Sequence, residues 1–203
     1  MTKTTLPLER GIMFSKPMVD ALLAGTKTQT RRALRPQPAG GSEARNPFGR
    51  PGDRLWVRER FVAFGRWVTR YNPKKAGEEW AFVDMTRQEG LSWRYDGADP
   101  QAGRIAGAAP TWHPRPALFM PRAASRILLE IVDVRQERLQ DISPADAVAE
   151  GILRSGDGFL LADGGTTIDP VLAYRGVWER INGQGSWEAN PLVWVVGFRR
   201  LAS

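Results

Sequence analysis

Residues 22–36, LLAGTKTQTRRALRP, set hydroxyl and cationic side chains almost in alternation: Thr26, Lys27, Thr28 and Thr30, then Arg31, Arg32 and Arg35, with no acid among them. Guanidinium groups grip phosphates with two parallel hydrogen bonds and stack on bases, so Arg31, Arg32 and Arg35 are candidates for binding a nucleotide or nucleic acid. The same run also reads as a solvated connection in which threonines favour extended backbone. Arg32 in particular suits either a substrate clamp or an anchor for loop carbonyls or Asp141. Other chemistry is narrowed by composition. The chain has no cysteine, which excludes a thiol nucleophile, a thiolate zinc site and a disulfide framework. Its one histidine, His113 in TWHPRP, reads as a loop residue, so neither a histidine metal cluster nor a Ser-His-Asp triad is drawn, and no metal is expected. Asp53 and Glu59 resemble a metal-binding pair, but GRPGD reads more simply as a turn in which Asp53 accepts backbone N–H groups. Of eight tryptophans, Trp56, on an alternating strand, and Trp112, in an expected loop, are the candidate stacking platforms for bases, with Arg58 beside them.

The charge is asymmetric. Residues 1–75 carry 16 Lys and Arg against 5 Asp and Glu, and the rest of the chain 13 against 17. An arginine-rich excess of this kind suits a phosphate-bearing partner, although a solvated surface explains it as well. The 203 residues are enough for one domain with a buried core. No apolar run reaches the length of a membrane span, and MTKTTLPLERG lacks the hydrophobic centre of a signal peptide, so a cytoplasmic setting without membrane contact is expected.

The elements that must position these residues follow from pattern. Gly11–Ser15 reads as a strand, and KPMVDALLAG as a helix with Pro17 early, Met18, Leu22 and Leu23 on one face, and Gly25 as its stop. A Pro/Gly/Ser-rich loop over 35–53 then leads into the strand RLWVRERF. From 65 to 120 the pattern loosens, and this stretch is expected to be an insertion. Within it, EEWAFVDM and LSWRYDG read as short strands and residues 99–116, DPQAGRIAGAAPTWHPRP, as an irregular loop. Ile127, Leu129 and Ile131 mark a long strand. DISPADAVAEG follows as a helix, with Ser143 as N-cap, Pro144 at its first position, Asp146 as capping acid and Gly151 as its stop. Glu150 falls in the last turn, where the helix dipole disfavours an anion by roughly 0.3–1 kcal/mol, a cost that calls for a cation nearby. DPVLAYRGVWERING is a further amphipathic helix and NPLVWVVGFRRL the closing strand. An α+β fold is expected: a small barrel or half-barrel flanked by short helices, with the strands at the two chain ends paired. GTKTQT is not a phosphate loop and no G-x-G-x-x-G follows a strand, so no cofactor is expected.

Taken in order, GIMFSKPMVDALLAGTKTQTRR, GRPGDRLWVRE, RLQDISPADAVAEGI and WERINGQGSWEANPLVWVVGF resemble the ASCH domain, related to PUA-like barrels, in its long bacterial and prophage form. The resemblance covers both ends of the chain and implies one ASCH domain over 1–203 carrying the 65–120 insertion. It also implies binding of RNA or a modified base. One branch of small ASCH proteins is similar in its G-x-K-x-x-T turn and its helix-end glutamate, and hydrolyses N4-acetylcytidine. By that likeness Lys27, Thr30 and Glu150 would form the catalytic set. The chemistry is coherent: Thr30 offers a hydroxyl, burial and neighbouring cations can make Lys27 a base, and Glu150 can orient it or relay a proton. Lys27 and Thr30 would point to opposite faces of a straight strand, so a turn or bulge must intervene. A noncatalytic module for RNA or a modified base is the alternative reading, and a ribonuclease the third. The expected partner is a nucleoside or single-stranded RNA, with DNA also open.

Overall fold

The computed structural model describes residues 6–37 and 46–202. Residues 1–5 and the middle of the loop expected over 35–53 lie outside them. In chain order the elements are β1 (Glu9–Met13), α1 (Lys16–Leu23), β2 (Gln29–Ala33), β3 (Arg54–Arg58), β4 (Phe61–Asn72), β5 (Gly77–Asp84), β6 (Thr111–Arg115), β7 (Leu128–Arg138), α2 (Pro144–Ala149), β8 (Arg154–Ser155), β9 (Gly158–Leu160), β10 (Thr166–Thr167), α3 (Pro170–Asn182) and β11 (Leu192–Arg200). Among the described residues the fold is α+β, mostly strand, in three sheets with three short α-helices. Among the described residues no helix is long and apolar enough to cross a membrane. The chain divides into two compact units, Met1–Val57 with Arg126–Ser203, and Arg58–Ser125.

The first unit is built on a five-stranded sheet in the order β1-β3-β7-β11-β2. Alternation along β11 explains how it holds two cores. Val196 and Phe198 pack with Ile12, Leu22, Leu55, Leu129 and Ile131 on one side, and Val193 and Val195 with Leu139, Ala147, Tyr174 and Trp178 on the other. Each fully buried aliphatic side chain of this kind contributes roughly 1.5–3 kcal/mol. The sheet does not close into a barrel among the described residues. The last strand, β11, pairs with β7 on one edge and β2 on the other, so it has no edge left for β1, which pairs with β3. The first strand also begins two residues earlier than its apolar pattern suggests, at Glu9.

Helix ends follow their sequence signals. Gly25 adopts φ +75°, its N–H donates to Leu22 O at 3.2 Å, and the Thr26 N–H reaches Ala21 O at 2.9 Å, a Schellman ending for α1. Ser143 Oγ accepts the Asp146 N–H at 3.1 Å, and Pro144 opens α2. Asp169 caps α3 through the Val171 N–H at 2.8 Å. Strands β8, β9 and β10 form a separate three-stranded sheet that the sequence pattern did not reveal, because two or three residues are too few to display a period.

The second unit is a three-stranded sheet in the order β5-β4-β6. Strand β5 matches EEWAFVDM. Its twelve-residue partner β4 escaped pattern reading because burial fades along it, from buried Phe61, Val62 and Ala63 to exposed Arg70 and Tyr71. Thr111–Arg115, expected within an irregular loop, is instead the strand β6. Pro114 argued against that, but β6 lies at the sheet edge, where a missing N–H is tolerated. LSWRYDG forms no strand. It contributes one isolated bridge, in which the Val62 N–H donates to Arg94 O at 2.7 Å and the Arg94 N–H to Val62 O at 3.1 Å.

Candidate functional site

The Schellman turn after α1 delivers Lys27 to the C-terminal end of α2. The Lys27 N–H donates to Ala21 O at 3.1 Å, the Thr28 N–H to Ala149 O at 2.9 Å, and Lys27 pairs with Glu150 as an isolated antiparallel bridge. β2 begins only at Gln29, so Lys27 precedes the strand; the turn of the chain lies at Ala24 and Gly25, before Lys27, and among the described residues none separates Lys27 from Thr30. Its side chain is fully buried. Nζ donates to Gln29 O at 2.9 Å, Glu150 O at 2.7 Å and Glu150 Oε2 at 3.0 Å, which uses all three hydrogens of an ammonium. Burial pulls the Lys27 pKa below its ordinary value, outweighing the opposite pull of the Glu150 charge and hydrogen bond. Gly151, at φ +80°, makes room for the lysine stem: a Cβ there would stand 2.8 Å from Lys27 Cβ and 2.9 Å from Ala21 Cβ.

Glu150 is shared. Its Oε1 accepts from Arg31 Nη1 at 3.3 Å, while Arg31 also donates through Nε to Glu137 at 3.0 Å and through Nη2 to Asp146 at 3.0 Å and to Glu137. Arg135 extends the network to Asp146 at 3.2 Å, Glu137 at 3.1 Å and Asp133 at 3.1 Å. The glutamate that opposed the α2 dipole thus has two cations as its reason. Arg31, a sequence candidate for phosphate binding, is buried and paired with three carboxylates, and it also lines the cavity described next.

Above this network lies a cavity of about 500 Å³ whose walls include Thr30, Arg32, Arg35, Glu150, Tyr174 and Trp178. Thr30 sits opposite Val196 in the β2–β11 ladder, and Lys27 is not part of the wall. Arg32 donates to Met13 O at 2.7 Å, a carbonyl at the end of β1 rather than a loop carbonyl or Asp141, with its guanidinium 5.3 Å from the Phe14 ring centre. Its Nε is buried without a hydrogen-bond partner among the described residues. Burial, then the Glu150 charge, pushes the Tyr174 hydroxyl well above its ordinary pKa, so it stays a neutral donor.

The other sequence candidates fall elsewhere. Trp56 is only 8% exposed and presents no free face for a base, and neither it nor Arg58 lines the cavity. Trp112 belongs to the second unit and to β6 rather than to a loop; it is half-buried, with Arg94 over its ring at 3.7 Å and Phe64 in a T-shaped contact at 5.5 Å. His113, expected in a loop, is buried in β6 with its ring edge-on to Phe82 at 5.3 Å. Asp53 accepts the Arg50 and Leu8 N–H groups, both at 3.0 Å, which hold its carboxyl below the ordinary range. Sequence reasoning did not assign the cavity wall of Tyr174, Val177, Trp178 and Ile181, although their three- and four-residue spacing along α3 marks one face. It also left out Glu137 and Asp146 as partners of Arg31.

The site is therefore an α+β cavity floored by a buried ion-pair network, with a hydroxyl, a carboxylate and a neutral phenol on its walls. Comparison with protein-family models, curated proteins and solved structures gave no match.

Proposed function

We propose that the chain is an ASCH-like protein of PUA-like descent that hydrolyses an N-acylated cytidine, N4-acetylcytidine or a close relative, in the first-unit cavity. The observation that carries this reading is the contact of buried Lys27 with Glu150 at 3.0 Å, directly beneath a cavity that Thr30 and Glu150 line. About 500 Å³ accommodates a nucleoside. In this reading Lys27 cedes a proton to Glu150 and becomes the amine that its lowered pKa favours. Thr30 Oγ1 attacks the acyl carbonyl, Lys27 takes the hydroxyl proton, and the C–N bond breaks as that proton passes to N4 of the leaving cytidine. Water then cleaves the acyl ester. Arg32 and Tyr174 are the donors available to the developing oxyanion.

A second reading has its own observation. All three Nζ hydrogens of Lys27 already have acceptors, the arrangement of a resting ammonium, and this favours a module that binds a modified base without turning it over. Chromatography of the full chain incubated with N4-acetylcytidine separates the two. The hydrolase reading expects cytidine from the wild type, loss of turnover in Lys27→Ala and Thr30→Val, and folded variants by circular dichroism. A folded wild type that releases no cytidine removes it.

A further inference from the structure

The second unit holds a cavity of its own, about 410 Å³, with Trp67, Trp80, Arg104, His113, Arg115 and Phe119 on its walls. Arg115 is only 8% exposed, yet its guanidinium is surrounded by rings: Phe82 at 4.4 Å, Trp67 at 4.8 Å and Phe119 at 5.0 Å. Arg104 stands over the same Trp67 ring at 4.5 Å. Among the described residues neither arginine forms an ion pair or a side-chain hydrogen bond. The carboxylate whose field reaches Arg115, Asp84, is already engaged by the Thr86 N–H and Trp93 Nε1, both at 2.9 Å.

That arrangement is out of balance. A ring face compensates only part of the hydration that the buried Arg115 guanidinium loses, and the exposed Arg104 adds a second cation to the same cavity, which it repels. Other cations of the unit are either paired, as Arg60 with Asp99 and Lys75 with Glu79, or lie over a single ring, as Arg94 over Trp112 and Arg87 over Trp93. A delocalised anion with room for two guanidinium forks would restore the balance, and phosphate matches that geometry. The aromatic side chains define the rest of the ligand. Trp67 is covered by the arginines, whereas Trp80 and Phe119 line the same cavity with much of their surface open, which suits a planar base.

We infer that the second-unit cavity is a nucleotide site, with the phosphate held by Arg104 and Arg115 and the base against Trp80 and Phe119. The site is independent of the hydrolase reading. A free mononucleotide and one unit of a single strand share this chemistry, and the assay distinguishes them. Tryptophan fluorescence of the full chain is titrated with thymidine 5′-monophosphate, thymidine, inorganic phosphate and a ten-nucleotide oligothymidylate. The monophosphate binds about tenfold or more tightly than either thymidine or phosphate, and exposed Arg104→Ala weakens it by a similar factor. Trp80→Ala weakens the monophosphate but not phosphate, and Arg115→Gln serves as a second variant where it folds. Tighter binding of the oligonucleotide assigns the site to a strand, and equal binding to a free nucleotide. Inorganic phosphate binding as tightly as the nucleotide, no binding at millimolar concentration, or binding indifferent to Arg104→Ala overturns the inference. So does a loss caused by Arg35→Ala, which would move the site to the first unit.

Discussion

Removing Glu150 should cost more than removing the lysine it holds, and the two losses should not add. The side chains of Lys27 and Glu150 are 0% and 3% exposed, so solvent screening does little to their attraction. Glu150→Gln keeps an acceptor oxygen but removes the counter-charge, leaving a buried ammonium on neutral acceptors, and an orphaned buried charge costs about 3–5 kcal/mol. Lys27→Met removes the charge itself. Glu150 keeps Arg31 at 3.3 Å, and the expected cost is about 1–3 kcal/mol, chiefly from two carbonyls that lose a donor. In the double variant no ammonium remains to be orphaned, and Arg31 retains Glu137 and Asp146. The combined loss should therefore fall short of the sum by about 2 kcal/mol or more. Urea unfolding of the four proteins, followed by tryptophan fluorescence and far-ultraviolet circular dichroism, gives the cycle. Repeating it at about 1 M salt should leave the coupling unchanged, because ionic screening acts on exposed pairs. Additivity within about 0.5 kcal/mol would refute the reasoning, since the contact would then carry no energy of its own.

Gly151→Ala should destabilise the chain by about 2–4 kcal/mol, combining a left-handed backbone angle with overlap against Lys27 Cβ and Ala21 Cβ; a urea midpoint unchanged from wild type would contradict that packing. Asp53 supplies the pH test. Its carboxyl is held low in the folded state by the Arg50 N–H and then the Leu8 N–H, so its contribution is complete above the unfolded value of about 4 and disappears as pH falls through the lower folded value. Asp53→Asn should thus be less stable than wild type at pH 7 and nearly equal to it at the acid end. A gap that stays constant from neutral to acid pH would remove the carboxylate from the account.

How much of this the sequence could show depended on the range of the signals. Local signals were readable: Ser143 and Pro144 start α2, Gly25 ends α1 with the bonds its position requires, and the apolar alternation of Ile127, Leu129 and Ile131 runs into β7. Strand neighbours were less accessible, because pairing is decided between segments far apart. The expectation that the two ends of the chain would meet failed when β11 found both its partners in β7 and β2. Local composition misled at β6, where Pro114 and the surrounding glycines hid an edge strand and with it the burial of His113. The contact of Lys27 with Glu150, separated by 123 positions, was approached only through a resemblance of motifs; spacing alone gave no distance between them.

The arginine run shows why charge read along a sequence differs from charge in space. Residues 22–36 contain no acid, yet Arg31 meets three, Glu137 of β7, Asp146 in the first turn of α2 and Glu150 at its end, more than a hundred residues later. Part of the N-terminal basic excess is thereby spent inside the fold, answered by the acids of the C-terminal part, and cannot act as an external field. The positive charge still open to an anion is set by burial and pairing instead. In the first unit Arg32 and Arg35 stand on a cavity wall by that measure, and in the second Arg104 and Arg115 share one cavity among aromatic rings. A phosphate-bearing partner, first suggested by the density of arginine between 31 and 35, is thus better sought where guanidinium groups lack carboxylates. By that criterion the stronger electrostatic case lies in the Arg58–Ser125 unit, which the motif resemblance leaves unaccounted for.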